Sequence, residues 1–298
     1  MKFAAAAALV LSLGLTAGAQ FRSGIDLVTF VVVASDKQGL VGGLTKEDFQ
    51  ILEDGKPQTV QFFAQGDVTA RMPLRLGLLF DTSGSMALDI NFSRTAAIKF
   101  MNAVEHAKDV TLVDFDTEVR LARYGQDDYP QLFERIRRRK ADGFTALYDA
   151  IGTYLNGMAM EDGQKVLLLY TDGGDSRSRM SFTQVLELLK FIDVTIYAIG
   201  FMDHQPSSTR MEQRMRLEQL AAATGGQAYF PGSRDQLDEM YGKILKELDG
   251  RYTLGYISAN TSPTSSWRKV DIRLANPAVK GVKIRARNGY YSPGKPGS

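Results

Sequence analysis

Between residues 74 and 250 the chain alternates short, continuous apolar runs with longer stretches whose apolar residues recur every three to four positions. A run such as Leu74-Arg-Leu-Gly-Leu-Leu-Phe80 lacks the in-out alternation of a strand with one wet side. It reads as a strand covered on both faces, which requires a sheet with helices above and below. Strands are predicted over residues 74–80, 110–116, 165–171 and 194–200. Between them, Ala96, Phe100 and Val104 repeat every four residues. Leu147, Ile151, Tyr154 and Met158 form one helical stripe, and Val185, Leu188, Leu189 and Ile192 another. A last helix is expected between a Ser233 cap and a Gly250 stop, burying Leu237, Tyr241, Ile244 and Leu248. Repetition of this kind builds a doubly wound, mostly parallel α/β sheet.

The flanks follow a different pattern. Residues 25–34 are rich in Val, Lys37-Gln-Gly-Leu40 makes a turn, and the stretch from Asp48 turns back at Asp54-Gly55, a strong hairpin signal, into Thr59-Val-Gln-Phe-Phe63. After Gly250 the same pattern returns over residues 252–257, 267–274 and 279–286. Each three-strand piece alone would leave an apolar face uncovered. The two are therefore expected to pair into one β-sandwich built from both chain ends, residues 20–70 and 251–292, with the α/β domain, residues 71–250, inserted between them. Residues 293–298 form a tail. A chain of 298 residues has room for two such units.

Met1-Lys2-Phe3, an apolar run to Leu15 and Thr16-Ala-Gly-Ala-Gln20 match the charged start, apolar core and Ala-x-Ala site of a signal peptide over residues 1–19. The run is too short and too rich in Ala and Gly for a membrane span of about 20 strongly apolar residues. Export to the periplasm or the medium is expected, with no integral membrane span. The absence of cysteine rules out disulfides and a lipid anchor on a cysteine after the signal. A formal charge of +2 gives no sign of a nucleic-acid partner. One basic run, Arg135-Ile-Arg-Arg-Arg-Lys140, is expected to be a solvated helix face, with a contact patch as the alternative.

Three apolar strands or loops end in small oxygen-bearing side chains: Phe80-Asp81-Thr-Ser83-Gly-Ser85, Gly143-Phe-Thr145 and Tyr170-Thr-Asp172-Gly-Gly. In an open parallel sheet, ligands bind beyond the carboxyl ends of the strands, where these segments should converge. Carboxylate and hydroxyl oxygens are hard donors. Two carboxylates and three hydroxyls suit a small divalent cation that prefers octahedral oxygen coordination, keeps some waters and leaves a position for an outside ligand. Mg2+ fits first, Mn2+ is close behind, and Ca2+ is a further option.

This order of residues resembles the von Willebrand factor type A (VWFA) domain and its metal-ion-dependent adhesion site, whose pattern is Asp-x-Ser-x-Ser, then Thr, then Asp. The resemblance implies that Ser83, Ser85 and Thr145 touch the metal, and that Asp81 and Asp172 bind it directly or through water. It also implies that an Asp or Glu from a protein partner fills the remaining position. The flanks carry a second likeness: Asp36-Lys-Gln-Gly-Leu-Val through Asp54-Gly-Lys-Pro-Gln58, and Arg285-Ala-Arg-Asn-Gly-Tyr-Tyr-Ser292, look like a bacterial family of VWFA-related proteins of the acidobacterial type.

Other chemistry fits less well. Asp114-Phe-Asp116-Thr117 resembles the strand-end nucleophile motif of haloacid-dehalogenase-type phosphatases, but no preceding region supplies the cap and helix order of such enzymes. Neither a Gly-x4-Gly-Lys-Ser/Thr loop nor a Gly-x-Gly-x-x-Gly turn after a strand is present. His106 and His204 are the only histidines and lie outside any His-Glu-x-x-His motif. Both read as ordinary surface residues, with a place at the border of the crevice as the alternative for His204. Ser83 and Ser85 lack an evident general base. The expectation is a non-enzymatic, exported, metal-dependent protein-binding module of adhesion type. The alternative is an envelope or assembly scaffold whose metal only stabilises loops.

Overall fold

The structure, a computed structural model, describes residues 27–66, 72–104, 107–262, 264–276 and 279–292. The expected signal peptide, the expected tail and His106 therefore lie outside the described residues. The chain first lays down four strands, β1 (Leu27–Ser35), β2 (Phe49–Glu53), β3 (Lys56–Gln58) and β4 (Phe62–Gln65). Asp54 and Gly55 both take positive φ between β2 and β3, the conformation that the Asp-Gly pair favours in a tight hairpin.

The inserted region then runs β5 (Leu74–Asp81), α1 (Ile90–Ala103), β6 (Ala107–Phe115), β7 (Val119–Tyr124), α2 (Tyr129–Arg138), α3 (Leu147–Met158) and β8 (Gln164–Thr171). It continues through α4 (Phe182–Leu189), β9 (Thr195–Gly200), α5 (Ser207–Ala223), β10 (Gln227–Tyr229) and α6 (Arg234–Gly250). Four strands follow: β11 (Tyr252–Ile257), β12 (Ser266–Leu274), β13 (Lys283–Arg285) and β14 (Gly289–Ser292).

The six inserted strands form one sheet in the order β10-β9-β8-β5-β6-β7, parallel except for β7 at the edge. Every residue of β5 is buried, as expected of a strand covered on both faces. Leu76, Leu78 and Phe80 pack with Phe100 of α1 and with Leu237, Tyr241 and Ile244 of α6. On the opposite face Leu79, Leu167 and Leu169 pack with Ile151 and Tyr154 of α3 and Leu217 of α5. Gly77 lies on that second face because a Cβ there would come within 2.4 Å of the Tyr154 ring. Ser233 caps α6 as expected, accepting from the Gln236 amide.

The chain leaves β5 toward β6 on one side and returns to β8 on the other, so strand order reverses between β5 and β8. That is the point where an open α/β sheet forms its binding crevice.

Both chain ends build two antiparallel four-stranded sheets, β13-β1-β11-β4 and β14-β12-β2-β3. Phe30, Val32, Tyr252, Leu254 and Tyr256 of one sheet share a core with Phe49, Ile51, Val270, Ile272 and Tyr290 of the other. This is the expected sandwich, but with four strands from each chain end where three were expected, and with strands of both ends mixed in each sheet. Inside it, buried Glu53 accepts from the hydroxyls of Tyr256 (2.7 Å), Tyr290 (3.0 Å) and Ser258 (2.6 Å). The sandwich meets the inserted domain through an Arg285–Glu247 ion pair and through Phe191 stacked on Tyr291 at 4.1 Å between ring centroids.

Candidate functional site

The site starts from the ends of β5 and β8, neighbours on either side of the strand-order reversal. Asp81, the last residue of β5, is fully buried. Its Oδ1 accepts from the Ser83 amide at 2.9 Å, folding the chain into a tight turn at which the Ser83 and Ser85 hydroxyls meet at 3.1 Å. Its Oδ2 accepts from Thr171 Oγ1 at 2.6 Å, which ties β5 to β8 side chain to side chain. Asp172 follows on β8's end, 1% exposed; its Oδ1 accepts from the Gly174 amide at 2.9 Å and its Oδ2 from Gln205 Nε2 at 2.8 Å.

Backbone bonds draw the third segment onto the first two. The Gly84 amide donates to the Gly143 carbonyl at 3.0 Å, and the Asp142 amide to the Thr82 carbonyl at 2.9 Å. Gly143 takes φ +77°, and a Cβ there would meet Thr117 Oγ1 at 2.5 Å, so both conformation and space require glycine. Thr145 is buried, and its carbonyl accepts from the amides of Ser176 (2.9 Å) and Arg177 (3.0 Å) in the loop after Asp172. The Thr145 hydroxyl makes no hydrogen bond among the described residues. All five residues singled out in the sequence thus lie on three loops laced together at the carboxyl edge of the sheet.

The electrostatics of this edge are unbalanced. Burial, and then the negative charge of Asp172, push the Asp81 carboxyl up to about 7, against the opposing hydrogen bonds from Ser83 and Thr171. Neither carboxylate has an ion-pair partner among the described residues. The donors around them are neutral hydroxyls, amides and one carboxamide. Among the described residues no three His, Cys, Asp or Glu side chains gather as a metal cage. The set here is two carboxylates supplemented by hydroxyl oxygens, all hard donors, and no positive charge among the described residues balances it.

Sequence reasoning missed three groups. Thr171 stood next to Asp172 in the motif, and its hydroxyl is the link to Asp81. Gln205 sits beside His204, which is exposed, as expected of an ordinary loop residue, the crevice border having been the alternative. His204 instead turns to Asp89, at 3.2 Å, while Gln205 reaches Asp172. Gln213 of α5 packs its Cβ against the Gly173 position, closing the loop from behind.

The second aspartate pair behaves differently from the crevice. Asp114 is fully buried and pairs with Arg120 (2.8 Å), Arg135 (2.6 Å) and Arg139 (2.9 Å). Asp116 pairs with Arg120 as well. The basic run is therefore only partly a solvated face: Arg137 and Arg138 lie outside beside Glu134, whereas Arg135 and Arg139 turn inward. A buried carboxylate attracts whichever arginines the helix end can deliver. Helical spacing alone does not show which ones those are.

The family profile of the von Willebrand factor type A domain matches residues 76–243. A von Willebrand factor type A protein from Catenulispora acidiphila is similar in structure, with 12% identity, a TM-score of 0.50, and 91% of this chain and 74% of that one covered. The von Willebrand factor domain of the type V pili tip protein Mfa5 from Porphyromonas gingivalis aligns over 60% of this chain and 97% of its own, at 12% identity and TM-score 0.47. Manganese-loaded TRAP protein from Plasmodium vivax aligns over 78% and 98%, at 14% identity and TM-score 0.43. No curated protein sequence matches. With more than half of its residues matched by the profile, and with the six-stranded sheet and strand-end crevice described above, the chain belongs to the von Willebrand factor type A domain family.

Proposed function

We propose that the crevice holds one divalent cation of the magnesium class, with manganese or calcium as substitutes, on Asp81, Ser83, Ser85, Thr145 and Asp172, and that the protein captures a partner protein through it. The observation that supports this most is the pair of buried carboxylates at the β5 and β8 ends, which no cationic side chain among the described residues neutralises. A bound ion would supply that positive charge and an open position for an Asp or Glu from the partner. The chain's own groups do the rest. Thr171 and the Ser83 amide hold Asp81, the Gly174 amide and Gln205 hold Asp172, and the Gly143 turn brings Thr145 alongside. Three of the five donors are neutral, so the incoming carboxylate is attracted rather than repelled.

On this reading the protein is a binding module and not an enzyme. Ser83 and Ser85 hydrogen-bond to each other rather than to a base, and Asp114, the nucleophile of the phosphatase-like motif, is enclosed by three guanidinium groups. We also infer export, to the periplasm or the medium, from the amino-terminal pattern. Among the described residues no helix is long and apolar enough to cross a membrane.

Two measurements test the reading. Mn2+ titration followed by electron paramagnetic resonance should show one site in the wild-type chain and none in Asp81→Ala or Thr145→Ala, with circular dichroism unchanged. Capture of a partner from envelope extract should require Mg2+ and fail with the same variants; equal capture in chelator would refute the mechanism.

A further inference from the structure

A groove of about 460 Å3 begins where the crevice ends. Ala146, the residue after Thr145, lines its near end, as does Thr117, whose Oγ1 accepts from the Phe144 amide at 2.9 Å. Thr153 and Asn156 of α3 continue its floor, and Arg177 and Arg179 line it from the loop after Asp172.

The two arginines stand apart from the others. Both are exposed, and neither guanidinium has an ion pair, hydrogen bond or ring contact among the described residues. Exposed arginines elsewhere are engaged: Arg123 with Glu161, Arg137 and Arg138 with Glu134, Arg214 with Glu218 and Arg273 with Asp271. Of the described arginines only Arg234 is similarly free. Asp149 lies in the groove, but its Oδ1 and Oδ2 accept from the Met180 and Arg179 amides at 2.9 and 3.0 Å, so it serves the loop and leaves both guanidinium groups unanswered. The loop backbone is fixed in turn, because the Arg177 amide donates to the Thr145 carbonyl. Two free, planar, bidentate donors are thus held on a braced loop, one hydrogen bond away from a crevice residue.

We propose that this groove receives a second acidic side chain of the partner, so that the partner segment is a peptide with two carboxylates, one for the crevice and one for Arg177 and Arg179. The inference rests on the reading above and names the partner's chemistry. An extended segment advances about 3.3 Å per residue, so the second acid follows the first at a characteristic separation. Thr117, Thr153 and Asn156 offer hydrogen-bond partners to the intervening backbone.

The test uses the full chain in Mg2+ and Gly/Ser peptides carrying either one Asp or two, with the separation varied from adjacent to about six residues, roughly 20 Å when extended. Binding is read from amide chemical shifts. The expected result is that one group of separations binds roughly three- to tenfold more tightly than the one-Asp peptide. Arg177→Gln/Arg179→Gln should abolish that gain and leave one-Asp binding and Mn2+ affinity unchanged. Equal binding of one- and two-Asp peptides at every separation overturns the proposal, as does a gain that survives the double substitution. A gain given by dextran sulfate but by no two-Asp peptide also overturns it, because the groove would then serve a sulfated glycan. Failure of the one-Asp peptide, or of Mn2+ itself, sinks the metal reading instead, so the two failures are distinguishable.

Discussion

Two buried aspartate clusters lie at neighbouring strand ends of the same sheet and are neutralised in opposite ways. Asp114, near the end of β6, is surrounded by Arg120, Arg135 and Arg139. Asp81 and Asp172, at the ends of β5 and β8, are held by hydroxyls, amides and a carboxamide, with no guanidinium or ammonium among the described residues. The chain thus has the means to neutralise a buried carboxylate and uses it next door. The difference separates a buried carboxylate that the chain's own arginines neutralise from a pair that has no cationic partner among the described residues.

The comparison breaks most readily at Asp114. Asp114→Asn should cost about 3–5 kcal/mol in urea unfolding, because it leaves guanidinium groups packed together without their anion, and Mg2+ should not restore the loss. A loss under about 1 kcal/mol would mean that the arginines are solvated after all.

The crevice should respond with the opposite sign. The Asp81 pKa rises from 3.8 to about 7, so the folded, metal-free chain keeps a proton that the unfolded chain releases. This contribution to stability is complete below about pH 4 and is lost as pH rises through about 7, by as much as roughly 4 kcal/mol. In chelator, the difference in unfolding free energy between the wild type and Asp81→Asn should therefore widen against the wild type across that window. A pH-independent difference would contradict the account. Added Mg2+ should reverse the trend, stabilising the wild type at pH 8 by about 2.7 kcal/mol at a hundred times the dissociation constant and leaving Asp81→Asn unmoved. The smallest effect is expected at Gln205. Gln205→Ala removes one donor from Asp172 and should weaken Mn2+ affinity about fivefold, a change worth about 1 kcal/mol. An unchanged affinity would mean that the contact does not orient the carboxylate.

The parts of this arrangement that could be read from sequence are those where one physical demand dominates. β5 and β8 are buried on both faces and so appear as unbroken apolar runs. The five crevice residues are legible because short oxygen-bearing side chains follow apolar runs in a fixed order, Asp-x-Ser-x-Ser, Thr, Asp. α5 was not legible: of its 17 residues only Gln213, Leu217, Leu220 and Ala221 are buried, and Met211 and Met215 point to solvent, so its apolar stripe is too thin to register. β7 is a half-exposed antiparallel edge strand with weak alternation, and β10 has three residues. Gln205 escaped notice because its contact depends on how the loop after β9 folds over the crevice. The inward turn of Arg135 and Arg139 escaped notice because a run of like charges gives no hint that a neutralising aspartate lies buried on β6, earlier in the chain.

Each sheet of the sandwich interleaves strands that are far apart in the chain: β1 lies beside β11 and β13, and β2 beside β12. During synthesis the first strands must wait for the whole inserted domain and for the final strands before their edges are covered. The von Willebrand factor type A unit can mature in that interval, with the sandwich closing last. A chain cut short before β11 would keep the crevice residues of the inserted domain while displaying bare strand edges, the condition under which chains associate wrongly.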